Sequence, residues 1–400
     1  MKHKKISIFL AYLPNELITK QLIKRYFLNL STDSVPGNAA GNFSVIYKNT
    51  YYFYSAIMEK QATIKDIARA LQVSTSTVSR ALRNSNDVNQ DTRKAVLALA
   101  EELNYQPNQL ALSLLHKQTH TIGVIVPNLD FVVSTMVKGI DEVALEAGYT
   151  VMVCQSNESY GREILNTRRL MDSLVDGFII SVSSETKMVD HFKKIQNQKK
   201  PIVVFDRVTP DLQAPKVRLD NEEGGLLATQ HLIDQGYKRI AILAGPENLD
   251  ISNRRMDGYL KALKDNKMKV DKDLIIHCDF NQDYAYLATK ELLAMKRRPD
   301  AIFTISDRMA IGAMLAIKEK RLNMPYDIGL VGFNNEPVTS LVTPMISSVE
   351  QPAFEIGKQT AKLFIELMHG DVDLSDREIV LKPKLFIRES SQRLLTKTAK

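Results

Sequence analysis

From Thr121 onward the chain repeats one alternation, and that alternation restricts the fold more than any other feature. Short apolar, β-rich runs follow one another: TIGVIVP, TVMVCQ, GFIIS, PIVVFD, RIAILAGP, LIIHCDF, AIFTIS and IGLVGF. Helical stretches lie between them, such as Met136 to Ala147, Asn221 to Gln235, Arg255 to Lys267, Tyr284 to Met295 and Met309 to Glu319. Runs that are apolar throughout are strands buried on both faces. Strand and helix in alternation predict parallel sheets with helices on both sides. The segment is too long for one small sheet, so two similar α/β lobes with a cleft between them are expected. Ligands in such sheets bind beyond the carboxyl ends of the strands.

Polar residues cluster at those ends. Asn128, Asp130 and Phe131 follow VIVP, and Asp206 with Arg207 follows IVVF. Then come Asp220, Arg255 in SNRRMDGY, Phe280 after HCD, Asp307 after TIS, and Asn334 with Asn335 after GLVGF. Carboxylates, amides and an arginine can fork onto hydroxyls, while an aromatic ring stacks on a flat apolar face. The mixture suits a sugar and would also suit a nucleobase. Asp220 and Asp307 each precede a helix, so capping is an equal reading for both.

Upstream, Thr63 to Leu82 reads TIKDIARALQVSTSTVSRAL. Ile64, Ile67, Ala68 and Leu71 recur with the spacing of one apolar helix face. Thr63 precedes them as a cap, with Asp66 three residues on in an aspartate version of the capping box. Gln72-Val73-Ser74 interrupts the pattern, and Ser74 caps a second helix whose inner face is Val78, Ala81 and Leu82. Two short helices joined by a tight turn have helix-turn-helix geometry. Thr75, Ser76, Thr77, Ser79 and Arg80 lie on the outer face of the second helix. Short hydroxyls and a guanidinium suit the reading of base edges in a major groove. Taken alone, the same pattern fits any amphipathic hairpin with a solvated face. After a polar loop, Asn84 to Val88, a third helix opens at Asn89 or Asp91, with Val96, Leu99, Ala100 and Leu103 inward. Asn108 then caps a leucine-rich stretch, QLALSLLHKQ, too short to be a stable helix by itself. Its leucines call for a partner: the same chain, a second copy, or a minor groove in which a leucine wedges between base steps.

The net charge of +7 invites a nucleic-acid reading. Residues 1–57, however, hold seven basic side chains (Lys2, Lys4, Lys5, Lys20, Lys24, Arg25 and Lys48) against Glu16 and Asp33. Charge is therefore weak support for DNA binding, which must rest on the motif. No run is long and apolar enough to span a bilayer. Cys154 and Cys278 each sit in an apolar run, which predicts buried free thiols in a reducing compartment. There is no phosphate-cradling glycine loop, Gly-x-Ser-x-Gly or metal-type His/Cys spacing, so neither catalysis nor a cofactor is expected. MKHKKISIFLAYL has the outline of a signal peptide, but Pro14, Asn15 and Glu16 follow at once with no small-x-small site. Residues 1–57 are expected to be an extension outside the working protein, with Met58 as a natural start. The rival is an extra arm that touches DNA or a partner.

From Thr63 to about Arg388 the chain resembles the lactose-repressor (LacI/GalR) family of bacterial transcription factors. The resemblance implies an α-helical helix-turn-helix headpiece plus an α/β two-lobed, type I periplasmic-binding-protein-like core. It implies a headpiece over 58–107, a hinge helix and linker over 108–120, and two discontinuous lobes. These are 121–220 plus 352–382, and 221–351 plus 383–400. Thr75, Ser76 and Arg80 would touch bases, and Thr63, Ser74, Thr77 and Asn84 would lie near phosphates. Leu114 matches the family's intercalating hinge leucine. Arg255, Phe280 and Asn334 match ligand contacts. The chain departs from the family at Leu112, where a basic residue is usual, and at Leu115, where Lys or Gly is common. It departs again at Asn334, where Asp is common, and the Pro127–Gly139 loop is slightly short.

The expected protein is a cytoplasmic repressor or regulator. A homodimer binds a pseudo-palindromic double-stranded operator, and a small effector, a carbohydrate above all, sits between the lobes. The alternatives are a secreted or periplasmic sugar receptor without a DNA role, which would lack Thr63 to Leu115, and a sugar-metabolising enzyme.

Overall fold

The computed structural model describes residues 62–85, 87–106, 118–370, 374 and 376–393. The expectations for residues 1–57, for the hinge and for Leu114 lie outside the described residues. The chain divides into two compact units, a headpiece and a larger core, with the boundary at Asn108.

The headpiece has three helices, α1 (Ile64–Ala70), α2 (Thr75–Leu82) and α3 (Gln90–Glu102). Each begins at a short polar cap residue: at α2 and α3 its side chain satisfies a first-turn amide with no partner within the helix, and at α1 a first-turn carboxylate reaches back to it. At α1 the Asp66 carboxylate accepts from the Thr63 N–H at 3.0 Å and from its hydroxyl at 2.6 Å. At α2 the Ser74 Oγ accepts from the Thr77 N–H at 3.0 Å. At α3 the cap is Asn89, which accepts from the Asp91 N–H at 2.8 Å. Gln72 carries the chain between α1 and α2 at a φ of 53°. Ile67, Ala68, Val78, Ala81, Val88, Val96 and Ala100 form the core where the helices meet.

In the core unit, the strands build two six-stranded sheets. The first holds β1 (Thr121–Val126), β2 (Thr150–Gln155), β3 (Gly177–Ile180), β4 (Ile202–Phe205), β5 (Lys216–Leu219) and β11 (Glu378–Leu381), in the order β11-β5-β4-β3-β1-β2 and all parallel. The second holds β6 (Ile240–Ala244), β7 (Ile275–His277), β8 (Ala301–Thr304), β9 (Gly329–Asn334), β10 (Ser347–Glu350) and β12 (Lys384–Phe386), in the order β12-β10-β9-β8-β6-β7. Only β12 runs antiparallel to its neighbour. The chain thus passes from one sheet to the other after β5, after β10 and after β11. Both faces are covered, so the central strands are buried along their whole length, as at β3, β4 and β8.

The connecting helices are α4 (Phe131–Glu146), α5 (Tyr160–Asp172), α6 (Asp190–Asn197), α7 (Asn221–Asp234), α8 (Asp250–Asp265), α9 (Gln282–Ala294), α10 (Asp307–Glu319) and α11 (Ala353–His369). Two of them begin about five residues before the apolar periodicity suggests, α4 at Phe131 and α8 at Asp250. Their first turns are cleft walls, where side chains answer to a site and not to the helix period. Helices α7 and α8 touch backbone to backbone: a Cβ on Gly258 would stand 2.1 Å from the Glu222 carbonyl oxygen. That close crossing fixes the height of Arg255 on α8. The two cysteines are free and half-buried, less enclosed than their apolar runs suggest.

Candidate functional site

A cleft of about 550 Å³, counted out to its open mouth, lies at the carboxyl ends of the strands of both sheets. Asn128, Asp130, Val132, Val133, Asp206 and Arg207 line it from the first lobe. Ile251, Arg255, Phe280, Ser306, Arg308, Asn334 and Glu336 line it from the second, and Gln351 lines it from the second crossing.

A buried polar chain crosses the floor. Gln351 Nε2 donates to Asp206 Oδ1 at 2.8 Å, and Gln351 Oε1 accepts from Arg255 Nη2 at 3.4 Å. Arg255 also donates from Nε to Asn221 Oδ1 at 2.8 Å and from Nη1 to the Ile305 carbonyl at 2.6 Å. Its guanidinium carbon lies 3.7 Å from the centre of the Phe333 ring, at stacking distance for a cation on an aromatic face. Burial lowers its pKa to about 10, with Asp206 pulling the other way, so it remains a cation at neutral pH.

One wall is held by Glu158. It accepts from Arg207 Nη1 at 2.7 Å, from the Ser184 N–H at 2.8 Å and from Asn128 Nδ2 at 3.3 Å. Burial alone would raise its carboxyl pKa, but the Arg207 ion pair and the Ser184 amide outweigh it and hold the group below its ordinary value. The opposite wall carries Phe280, whose ring centre is 5.6 Å from the Arg207 guanidinium carbon. At the mouth Arg308 Nη2 meets Asp130 Oδ1 at 2.9 Å, an ion pair from lobe to lobe. Glu336 stands beside it, its pKa raised by burial and by Asp130 against the pull of Arg308.

In the headpiece, Thr63, Ser74, Thr75, Ser76, Arg80 and Asn84 are exposed and Thr77 is half-buried. The Ser74 hydroxyl also meets those of Ser76 and Thr77 at 2.7 and 2.8 Å. Arg83 turns back on the helix, with Nη2 on Ser79 Oγ at 3.1 Å. Asn84 closes α2 at a φ of 57°, a left-handed turn that asparagine adopts more readily than most residues.

Two family models match in sequence order. The lacI-family model of bacterial regulatory proteins matches residues 63–108. The model for periplasmic binding proteins and the sugar-binding domain of the LacI family matches 119–387, well over half of the chain. The chain belongs to the LacI family of bacterial regulatory proteins. It is similar to the HTH-type transcriptional repressor PurR of Vibrio atlanticus, with 33% identity over 83% of this chain and 99% of that protein. It is also similar to the lac repressor dimer bound to operator and the anti-inducer ONPF, at TM-score 0.75 and 26% identity over 84% and 100% of the two chains. The transcriptional regulator CelR in complex with cellobiose matches at TM-score 0.62 and 29% identity over 82% and 99%. Membership makes this protein a DNA-binding transcriptional regulator and not an enzyme, and leaves the secreted-receptor alternative without support.

Of the strand-end residues read from the sequence, this LacI-family core brings Asn128, Asp130, Asp206, Arg207, Arg255, Phe280 and Asn334 to one cleft. It does not bring Phe131, Asp220, Asp307 or Asn335 there. Phe131 is the first residue of α4 and stands 45% exposed. Asp220 caps α7, accepting from the Glu223 N–H at 3.1 Å, and pairs with Lys382 at 2.8 Å. Asp307 is fully buried, and the cap of α10 is Ser306. Sequence reasoning missed Ser306, Arg308, Glu336 and Gln351. Extending the strand-end search two residues beyond Ser306 and Asn334 would have found Arg308 and Glu336. Gln351 lies inside the crossing already singled out. No helix among the described residues is long and apolar enough to cross a membrane.

Proposed function

We propose that this LacI-family regulator is a cytoplasmic repressor. It binds a pseudo-palindromic operator as a homodimer and is controlled by an uncharged carbohydrate held between the lobes. The observation that carries the effector reading is the convergence of seven strand-end residues, from both lobes and far apart in sequence, on one cleft. Asn128, Asp130, Asp206, Arg255 and Asn334 would hydrogen-bond ligand hydroxyls, and Phe280 would stack on an apolar ring face. The exposed face of α2, with Thr75, Ser76 and Arg80, would read bases. Thr63, Ser74, Thr77 and Asn84 would position the headpiece on phosphates. Leu114 would wedge into the minor groove.

The charges of the cleft favour a neutral ligand. Arg207 faces Glu158, Arg308 faces Asp130, and Arg255 donates to three protein acceptors. Glu336 and Asp206 add negative charge. An entering phosphate would meet carboxylates, and every arginine there already has a protein acceptor. The cellobiose complex of a similar regulator agrees with this choice.

The test is a thermal-shift panel on the full chain, pairing neutral sugars with their phosphates and with purine bases. One neutral sugar should stabilise the core, by about 2.7 kcal/mol at a hundred times its Kd. Stabilisation by sugar phosphates or bases alone would defeat the proposal.

A further inference from the structure

Asp307 is neither a helix cap nor a wall of the cleft, and its surroundings give it a third use. The turn after β9 presents Asn334 and Glu336 to the cleft. To do so, Asn335 takes a left-handed φ of 52°, which asparagine tolerates, and Asn334 a φ of 111°, which a residue with a side chain rarely holds unless its surroundings impose it. Asp307 Oδ2 accepts from the Glu336 N–H at 2.7 Å. Asp307 Oδ1 accepts from Ser348 Oγ at 2.7 Å, and that hydroxyl accepts from the Asn335 N–H at 2.9 Å. One buried carboxyl therefore holds two successive amides of the turn, one directly and one through a serine. Space for it is made by Gly332, where a Cβ would lie 2.1 Å from Asp307 Oδ1. Arg388 clamps the same turn from outside, with Nη2 on Asn335 Oδ1 at 2.6 Å.

We infer that Asp307 is a positioning residue for effector recognition, acting through the backbone of the Asn334–Glu336 turn and not by touching the ligand. This rests on the cleft being the effector site. Asn334 and Glu336 can meet a ligand's hydroxyls only in the strained turn, and Asp307 with Ser348 holds that turn before the ligand arrives. Holding a contact group in place in advance removes an ordering cost from binding.

Two arms separate this inference from the reading it rests on. The first needs no ligand: amide hydrogen exchange of the full chain, compared with Asp307→Asn and Ser348→Ala. Peptides covering 334–336 should exchange at least tenfold faster in both variants, with those covering β6 and β8 unchanged. Unchanged exchange at 334–336, or uniform acceleration across the lobe in both variants, overturns the inference. The second arm is calorimetric titration with D-ribose and cellobiose. For whichever binds, Asp307→Asn and Asn334→Ala should each weaken affinity about tenfold, and the double variant no more than the weaker-binding single one. Strictly additive losses overturn the inference. If neither sugar binds the unaltered protein, the exchange arm decides the role of Asp307 and the thermal-shift panel decides the carbohydrate reading.

Discussion

Arg80 stands exposed on α2, whereas Arg255 on α8 is 3% exposed, with its N–H groups directed at an amide, a carbonyl and Gln351. The first is free to meet an acceptor on DNA, while the second stiffens the cleft floor and keeps its remaining N–H groups for a ligand hydroxyl. Arg80→Ala should weaken operator binding by about 1–3 kcal/mol and relax one base position. Titration of operator variants in a mobility-shift assay would check this, and an equal loss on random DNA would show a phosphate contact instead. Asp307 supplies a pH dependence. Burial raises its carboxyl to about 8, and the Glu336 amide and Ser348 hydroxyl only partly offset that. Its pKa is higher in the folded than in the unfolded chain. The stability it contributes is therefore full below about pH 4 and is lost as pH rises through about 8. Asp307→Asn cannot titrate there. The melting temperature of the unaltered protein should therefore fall relative to the variant between pH 5 and pH 9, and a constant difference across that range would exclude it.

Helices α7 and α8 illustrate what a close crossing demands. Besides the Glu222 oxygen, a Cβ on Gly258 would stand 2.5 Å from the Leu226 nitrogen, and one on Gly225 would stand 2.1 Å from the Arg255 carbonyl oxygen. These neighbours are backbone and cannot swing aside. Gly258→Ala should destabilise the core by about 1–3 kcal/mol through overpacking. It should also weaken effector binding by moving Arg255, as chemical denaturation and calorimetry would register. A stable variant with unchanged affinity would mean that the helices slide apart freely. The helices of the headpiece depend on caps for a different reason. They are short, so the orphan amides of each first turn are a large share of their polar groups.

Across the whole molecule, the lobes are joined by three passes of backbone and by a few polar contacts. Arg308–Asp130 is a half-exposed pair, of a kind worth about 0–1 kcal/mol. Such a latch stops neither closure nor opening, which suits the proposed control of lobe geometry by a bound effector. Arg308→Ala should alter effector affinity less than about fivefold and leave thermal stability nearly unchanged. A large loss would make Arg308 a direct ligand contact. The operator prediction also belongs to this scale. A symmetric dimer reads a symmetric site, so scrambling one half-site should cost more than tenfold in affinity, checked on the full chain by fluorescence anisotropy.

The linear sequence determined most of the elements: three capped helices, then eight strands alternating with helices, but not the short β5, β10, β11 and β12. Helix period, strand burial and cap chemistry are local properties that a window of residues carries with it. It also carried seven of the cleft residues, because strand ends in such sheets share one edge. Tertiary structure alone decided which strand-end side chains turn inward. Asp130 reaches Arg308 from the other lobe, and Gln351 bonds Asp206 across 145 residues of sequence. Asp307, with the same local signature as its neighbours, is drawn under the sheet edge by two amides and the gap at Gly332. The carboxyl-terminal stretch after β12 reads as a polar end, yet Ser390 and Ser391 are fully buried, bonded to Leu330 and His231. Partners so distant in sequence meet only once the lobes have formed, and no local period encodes them.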